Sequence, residues 1–130
     1  MFVDASALLA ILLKEPDSQR FSRAMENAGQ LFTSPVAVFE IVCAVMRERA
    51  CSRREAQRAV EQALRIANIE VVPITREIGD LALEAFEKYG KGRGHKAQLN
   101  MGDCFSYACS KSLGVALLYK GNDFAATDLA

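Results

Sequence analysis

Short strand-like runs alternate with helix-length segments along this chain of 130 residues, and that alternation limits the folds that it can adopt. The strand-like runs are residues 2–3, 31–33, 69–74 and 115–119. Strands separated by helices favour a mainly parallel sheet with helices packed on both faces. We therefore predict one domain over residues 1–130, a three-layer α/β/α sandwich with a sheet of four or five strands.

The segments between these runs carry signals for the start and end of helices. We expect helices over 5–13, 18–27, 35–50, 52–68, 75–89 and 102–114. Ser34-Pro35 has the form of an N-cap followed by the first helical residue. Ser52 and Glu55 have the spacing of a capping box. Gly114 is expected to end the last helix, because glycine is common at helix C-termini.

Composition excludes several classes of protein. Formal net charge is zero, so the chain lacks the basic surplus of many nucleic-acid-binding domains. It has no run of eighteen apolar residues, and its first four residues lack the basic region of a signal peptide, so we expect a cytoplasmic protein. The four cysteines and single histidine form no familiar zinc pattern. We expect Cys43, Cys104 and Cys109 to be buried as small apolar side chains.

Four acidic residues occupy related positions in this alternation. Asp4 ends the first strand, and Asp123 follows the last one. Asp103 lies at the start of the final predicted helix, and Glu40 is one turn into the helix after the second strand. Ligands of open parallel sheets bind beyond the carboxyl ends of the strands. We therefore expect these four side chains to converge there.

Glu40 carries the most information of the four. It is the only charged residue from Pro35 to Met46, and helical spacing places it beside Phe39 and Cys43 on an apolar face. An acid there costs stability unless something pairs with it. The alternative is a side chain that extends to solvent near the helix N-terminus, where the helix dipole favours an acid.

Each of the other acids also has a purely structural interpretation. Asp4 and Asp103 have the positions of helix caps. Asp123 follows a turn, where aspartate is common. The case for a site therefore depends on the coincidence of all four at one end of the sheet.

A cluster of carboxylates needs a counter-cation. Two unit charges about 4 Å apart repel by roughly 4 kcal/mol at an effective dielectric constant near 20. Oxygen ligands without a histidine or cysteine cluster suit Mg²⁺ or Mn²⁺, and such ions support phosphodiester hydrolysis. Ser6 could support a ligand near Asp4 with its hydroxyl group, or equally cap the first helix.

Four segments of the chain resemble, in the same order, the motifs of PIN-domain ribonucleases of the VapC toxin type. They are Phe2-Val3-Asp4-Ala5-Ser6-Ala7-Leu8, residues 33–40 (TSPVAVFE), residues 99–108 (LNMGDCFSYA) and residues 117–124 (LLYKGNDF). The third segment is the most specific. The resemblance covers the whole chain, so it implies a single PIN-like domain over residues 1–130.

The resemblance implies an Mg²⁺-dependent endoribonuclease that is the toxin of a toxin–antitoxin pair. It further implies an RNA substrate, a homodimer and inhibition by a cognate antitoxin protein. By the same resemblance, Asp4, Glu40 and Asp103 are the metal-binding acids, and Asp4 and Asp103 are the direct metal ligands.

The fourth acidic position departs from the pattern of many relatives. Gly121 stands where they have an acid two residues before the Asp-Phe pair. Asp123 is expected to take over this catalytic role, or Asn122 to contribute a carbonyl oxygen. Asp128 is a further candidate by proximity alone.

Two groups of cations are candidates for contact with RNA phosphates. Lys91, Arg93 and Lys96 lie in a glycine-rich stretch without acids, and we predict that they bind RNA; the alternative is a solvated loop. For the arginines within residues 47–58 we favour a solvated helix face, partly neutralised by nearby glutamates.

Other function classes match the sequence less well. A phospho-acceptor receiver normally has paired acids beside its first strand, and a phosphatase of the haloacid-dehalogenase type has a second aspartate where this chain has Ser6. The alternative that stays open is a non-catalytic α/β module that binds Mg²⁺ for signalling or binds a partner.

Overall fold

The computed structural model describes all residues from Met1 to Ala130. The strands are β1 (Phe2–Val3), β2 (Leu31–Thr33), β3 (Ile69–Val71) and β4 (Leu117–Leu118). The helices are α1 (Ala5–Leu12), α2 (Ser18–Asn27), α3 (Pro35–Arg49), α4 (Arg53–Ile66), α5 (Arg76–Tyr89) and α6 (Met101–Leu113). The predicted alternation of strands and helices is confirmed.

The four strands form one parallel sheet in the order β3-β2-β1-β4. Phe2 of β1 pairs with Phe32 of β2 on one side and with Leu117 of β4 on the other. Because every strand runs in the same direction, all four carboxyl ends lie at one edge of the sheet. Residues that directly follow β1, β2 and β4 therefore emerge near one another.

The two residues of β1 show how the helices cover both faces of the sheet. Phe2 and Val3 are both completely buried, and alternate side chains of a strand point to opposite faces. Val3 packs in a core with Ile41 and other residues from α1 to α4. Phe2 packs in a second core with Leu99 and residues of α5 and α6. This arrangement gives the three layers expected from the sequence.

Three of the predicted helix ends are present, but the capping box of Ser52 and Glu55 is only half formed. The Ser34 hydroxyl accepts from the Ala37 amide, and the Ser52 hydroxyl accepts from the Glu55 amide. The Glu55 carboxylate accepts from the Ser52 hydroxyl instead of the Ser52 amide. Gly114 adopts a left-handed φ of 66° at the end of α6. Helix α6 begins at Met101 rather than Gly102, because Asn100 is its N-cap.

Two strands are shorter than the sequence predicts. Strand β3 ends at Val71 rather than at residue 74, since Pro73 has no amide hydrogen to extend the ladder. Strand β4 begins at Leu117 rather than at residue 115. The Val115 amide and carbonyl instead bond to Ser110, which ties this residue to the end of α6.

The cysteine prediction is correct for two residues and wrong for the third. Cys104 and Cys109 are buried, but Cys43 is exposed. The buried residues of α3 are Ala37, Ile41, Ala44 and Val45, so Cys43 lies on a different face of the helix. No helix of the structure is long and apolar enough to cross a membrane.

Candidate active site

One cavity at the carboxyl edge of the sheet contains all four acids singled out by the sequence. Its volume is about 430 Å³, and Asp4, Glu40, Asp103 and Asp123 all line it. They come from the end of β1, from α3, from α6 and from the segment after β4. The expected convergence is therefore present.

Asp4 is both a helix cap and a wall of the cavity. Its amide donates to the Leu118 carbonyl at 3.0 Å, which fixes the residue at the end of β1. Oδ2 accepts from the amide and hydroxyl of Ser6, at 3.0 and 2.6 Å. Oδ1 accepts from the Ser106 hydroxyl at 2.6 Å. These donors hold a carboxylate that is only 5% exposed.

Ser6 also ties the chain after β4 to the site. Its hydroxyl accepts from the Lys120 amide at 2.9 Å while donating to Asp4. The Lys120 side chain pairs with Glu15 and Asp17 in the connection between α1 and α2. The segment that carries Asp123 is therefore anchored both to the first helix and to the connection that follows it.

Ser106 is a site residue that the sequence reasoning missed. It lies one turn after Asp103 in α6 and is 1% exposed. Its spacing of three residues from Asp103 was the only signal available, because side chains three apart in a helix share a face. Its partner Asp4 is 102 positions away in the sequence.

Asp103 closes a capping box at the start of α6. Its amide donates to Asn100 Oδ1 at 2.9 Å, and its Oδ2 accepts from the Asn100 amide at 3.0 Å. Oδ1 has no protein donor. Burial raises the pKa of Asp103 to about 6; the Asn100 amide opposes this, and the charges of Asp4 and Asp123 add to it.

Glu40 lies in the cavity without any hydrogen bond from the protein. Its carboxylate rests against Gly102, in the space that a side chain at position 102 would occupy. Burial raises the pKa of Glu40 to about 7, and the charges of Asp4 and Asp103 contribute further. The apolar helix face therefore carries an unpaired acid, as the sequence suggested.

The candidates for the fourth acidic position differ in location. Asp123 is exposed, lines the cavity and contributes to the raised pKa of Asp103. Asn122 is exposed and does not line it. Asp128 accepts from Lys111 Nζ at 2.8 Å and Tyr107 Oη at 2.7 Å, and it also lies outside the cavity.

The structure separates the predicted RNA-binding cations from the cavity. Lys91, Arg93 and Lys96 are exposed in the connection between α5 and α6, and none of them lines it. Arg47 of α3 is the cation that does.

The donor chemistry of the cavity fits a divalent metal ion. Its carboxylates are hard oxygen ligands, and the pKa values of Glu40 and Asp103 are raised first by burial and further by the charges of neighbouring acids, which a bound cation would neutralise. The side chains do not already form a ready-made group of three ligands. Oδ1 of Asp4 accepts a single hydrogen bond and keeps one lone pair for a cation, and Glu40 and Oδ1 of Asp103 have no protein donor at all.

Comparison with known families gives one match over nearly the whole chain. The PIN domain family matches residues 1–129. A VapC ribonuclease of Rhizobium meliloti (strain 1021) is 40% identical over 139 residues, which cover 98% of each chain. Ribonuclease VapC30 of Mycobacterium tuberculosis is 38% identical over 130 residues, covering 100% of this chain and 96% of its own.

Solved structures with the same fold include two toxins. The crystal structure of Mycobacterium tuberculosis VapC20, described as a Sarcin-Ricin loop cleaving toxin, has a TM-score of 0.74 at 19% identity. The matched region covers 99% of this chain and 95% of the VapC20 chain. A toxin-antitoxin complex from Klebsiella pneumoniae has a TM-score of 0.72 at 16% identity and covers 98% and 92%.

Proposed function

Because this chain belongs to the PIN-domain family, we propose that it is a metal-dependent endoribonuclease that acts as the toxin of a toxin–antitoxin pair. The observation that carries this proposal is the meeting of four carboxylates in one cavity at the carboxyl edge of the sheet. The naming of relatives at 38–40% identity as VapC ribonucleases supports the same conclusion.

Asp4 and Asp103 are the proposed direct ligands of Mg²⁺, with Glu40 as the third metal-binding acid. Mn²⁺ would suit the same oxygen donors. A bound divalent cation would activate water and neutralise charge on the phosphoryl group. Asp123 is the proposed fourth catalytic acid, since it lines the cavity and Asn122 does not.

The protein's own groups prepare this site for hydrolysis. Ser6 and Ser106 orient Asp4, and the capping box with Asn100 orients Asp103. Glu40 carries a carboxylate that lines the cavity and has no hydrogen-bond donor in the protein, so it is available to accept a proton. We assign to it the acceptance of a proton from the attacking water.

RNA would extend from the cavity over neighbouring positive charge. Lys91, Arg93 and Lys96 are exposed, unpaired cations outside the cavity, so their proposed role is to bind phosphates away from the scissile bond. The proposed place of action is the cytoplasm, where cellular RNA is found.

The proposed protein partners are a cognate antitoxin and a second copy of the chain. Support for the antitoxin comes from the fold shared with the Klebsiella pneumoniae toxin-antitoxin complex. Support for a homodimer comes from Leu83, Phe86 and Met101, which are 68%, 43% and 71% exposed around one shallow apolar cavity between α5 and α6. Sedimentation of wild type and Leu83→Asp would test the dimer: wild type should sediment as a dimer and the variant as a monomer.

The function is tested by incubating purified protein with a mixed RNA pool, with Mg²⁺ and with EDTA. Asp103→Asn is assayed beside wild type. Cleavage that requires both Mg²⁺ and Asp103 is the expected result. Absence of cleavage by antitoxin-free protein that binds Mg²⁺ would favour the non-catalytic metal-binding module instead.

A further inference from the structure

The cavity that contains the four acids has one positively charged wall. Arg47 lines it together with Asp4, Glu40, Asp103 and Asp123, and no lysine or other arginine does so. An RNA phosphate that approaches these carboxylates is repelled by them. A cation at the edge of the cavity can therefore bind the RNA phosphates that the acids repel.

Helical geometry directs Arg47 towards Glu40. The two residues are seven positions apart in α3, which is about two turns, so they lie on nearly the same face. Side chains of a helix lean towards its N-terminus. The guanidinium group of Arg47 is therefore directed along the helix towards the acids rather than away from them.

The guanidinium group of Arg47 also has no strong partner within the protein. Its only ionic neighbour is Glu48, at 3.7 Å, and both side chains are more than half exposed, so this pair contributes little. Two nearby arginines have structural partners instead: Arg49 donates to the Leu12 carbonyl at 2.7 Å, and Arg53 donates to Gln57 at 2.6 Å. Arg47 is thus free to bind an external anion.

We propose that Arg47 is a substrate-positioning residue that binds a backbone phosphate of RNA and holds the strand over the acidic cavity. The planar guanidinium group presents paired donors that match two phosphate oxygens, which a lysine ammonium cannot do. This inference rests on the proposed ribonuclease function. It adds a residue outside the acidic set and outside the loop of Lys91, Arg93 and Lys96.

The test compares Arg47→Ala and Arg47→Lys with Arg23→Ala. Arg23 is exposed on α2, lies outside the cavity and has no ionic partner, so its replacement removes the same charge elsewhere. Binding of a fluorescein-labelled single-stranded RNA is measured by anisotropy in the Asp103→Asn background, where the RNA stays intact. Cleavage kinetics are measured in the otherwise wild-type protein, and Mg²⁺ and Mn²⁺ affinity by calorimetry.

Arg47→Ala should raise the Kd for RNA and the KM for cleavage roughly tenfold, with Arg47→Lys between it and wild type. The slope of log Kd against log salt should fall by about one for Arg47→Ala. Metal affinity should not weaken in either variant. Arg23→Ala should match wild type in RNA binding.

Two results would overturn the assignment of Arg47. One is an Arg47→Ala variant that binds and cleaves RNA like Arg23→Ala. The other is weakened metal binding that accounts for the whole loss of activity. Wild-type protein that neither binds nor cleaves RNA would instead refute the proposed function itself.

Discussion

The carboxylate of Glu40 occupies the space beside Gly102 that any larger residue would fill. These two residues are 62 positions apart in the sequence, and they join α3 to the first turn of α6. Because Gly102 directly precedes Asp103, the contact fixes Glu40 next to a second acid of the cavity. The absence of a side chain at position 102 is therefore part of how the site is built.

Gly102→Ala should reduce activity without unfolding the protein. The added methyl group would displace the Glu40 carboxylate, whereas alanine is favoured over glycine in a helix by up to about 1 kcal/mol. We expect metal affinity and RNA cleavage to fall at least about tenfold, since roughly 1.4 kcal/mol of lost stabilisation has this effect. Calorimetry and cleavage assays measure the two losses, and thermal unfolding should stay close to wild type.

Gly79→Ala in α5 is the matched control for this substitution. A methyl group at Gly79 would have no atom within 4 Å, so the variant should gain stability and keep full activity. Gly79 also lines the cavity proposed for the dimer contact, so its sedimentation is compared with that of wild type. Unchanged metal affinity and cleavage in Gly102→Ala would contradict a positioning role for this glycine.

Two substitutions of Asp103 should separate its catalytic role from its capping role. Asp103→Asn removes a buried charge and keeps an oxygen that can accept from the Asn100 amide, so the free energy of unfolding in EDTA near neutral pH should not fall. Asp103→Ala removes the same charge and also the cap, so it should be less stable than Asp103→Asn by about 1 kcal/mol. Both should lower cleavage roughly a hundredfold or more, because the proposed metal ligand is lost. Denaturant unfolding beside cleavage assays checks this; equal stability losses would contradict the separation.

The alternation of strands and helices was predictable because it depends on local sequence. Ser34 and Ser52 cap helices through neighbouring residues, and their patterns are visible without a structure. The acids were predictable as a group because parallel strands place their carboxyl ends at one edge. Asp4 and Asp103 did not have to be either caps or cavity residues, since each one caps a helix and also lines the cavity.

The features that escaped prediction depend on contacts between distant parts of the chain. The bond from Ser106 to Asp4 and the fit of Glu40 against Gly102 have no local signature. Cys43 was expected in the core, but it lies in the cavity wall because α3 exposes that face to the site. Arg47 could not be told from the neighbouring arginines until the path of α3 past the acids was known.

Ser106→Ala should weaken both the fold and the metal site. It removes a 2.6 Å bond to a buried carboxylate, and hydrogen bonds to charged groups contribute about 1.5–3 kcal/mol. Chemical denaturation should show that loss, and calorimetry should show weaker metal binding because Asp4 loses its support.

Ser110→Ala provides the comparison within the same helix. Ser110 is equally buried and donates at 2.6 Å, but to the neutral carbonyl of Val115. We expect a cost of about 1 kcal/mol and no change in metal affinity. A loss of metal affinity as large as that of Ser106→Ala would show that the effect comes from general loosening of α6.

Without metal, the protein should lose stability as the pH rises towards neutrality. The folded-state pKa of Glu40 is about 7, above its ordinary value of 4.5, so the folded protein retains a proton that the unfolded chain has already released within this window. The free energy of unfolding therefore falls as the pH rises through it, and Asp103, with a pKa of about 6, acts in the same direction. Thermal unfolding in EDTA between about pH 5 and pH 8 should show the decline.

Glu40→Gln and added Mg²⁺ should each change this pH dependence in a defined way. The variant has no carboxylate to ionise at position 40, so its melting temperature in EDTA should fall less steeply than that of wild type. Metal binds the ionised carboxylates, so saturating Mg²⁺ should remove or reverse the decline for wild type but act less on Glu40→Gln. Parallel curves for the two proteins in EDTA would mean that Glu40 is ionised at little cost, which would contradict a pKa raised by its burial in the cavity.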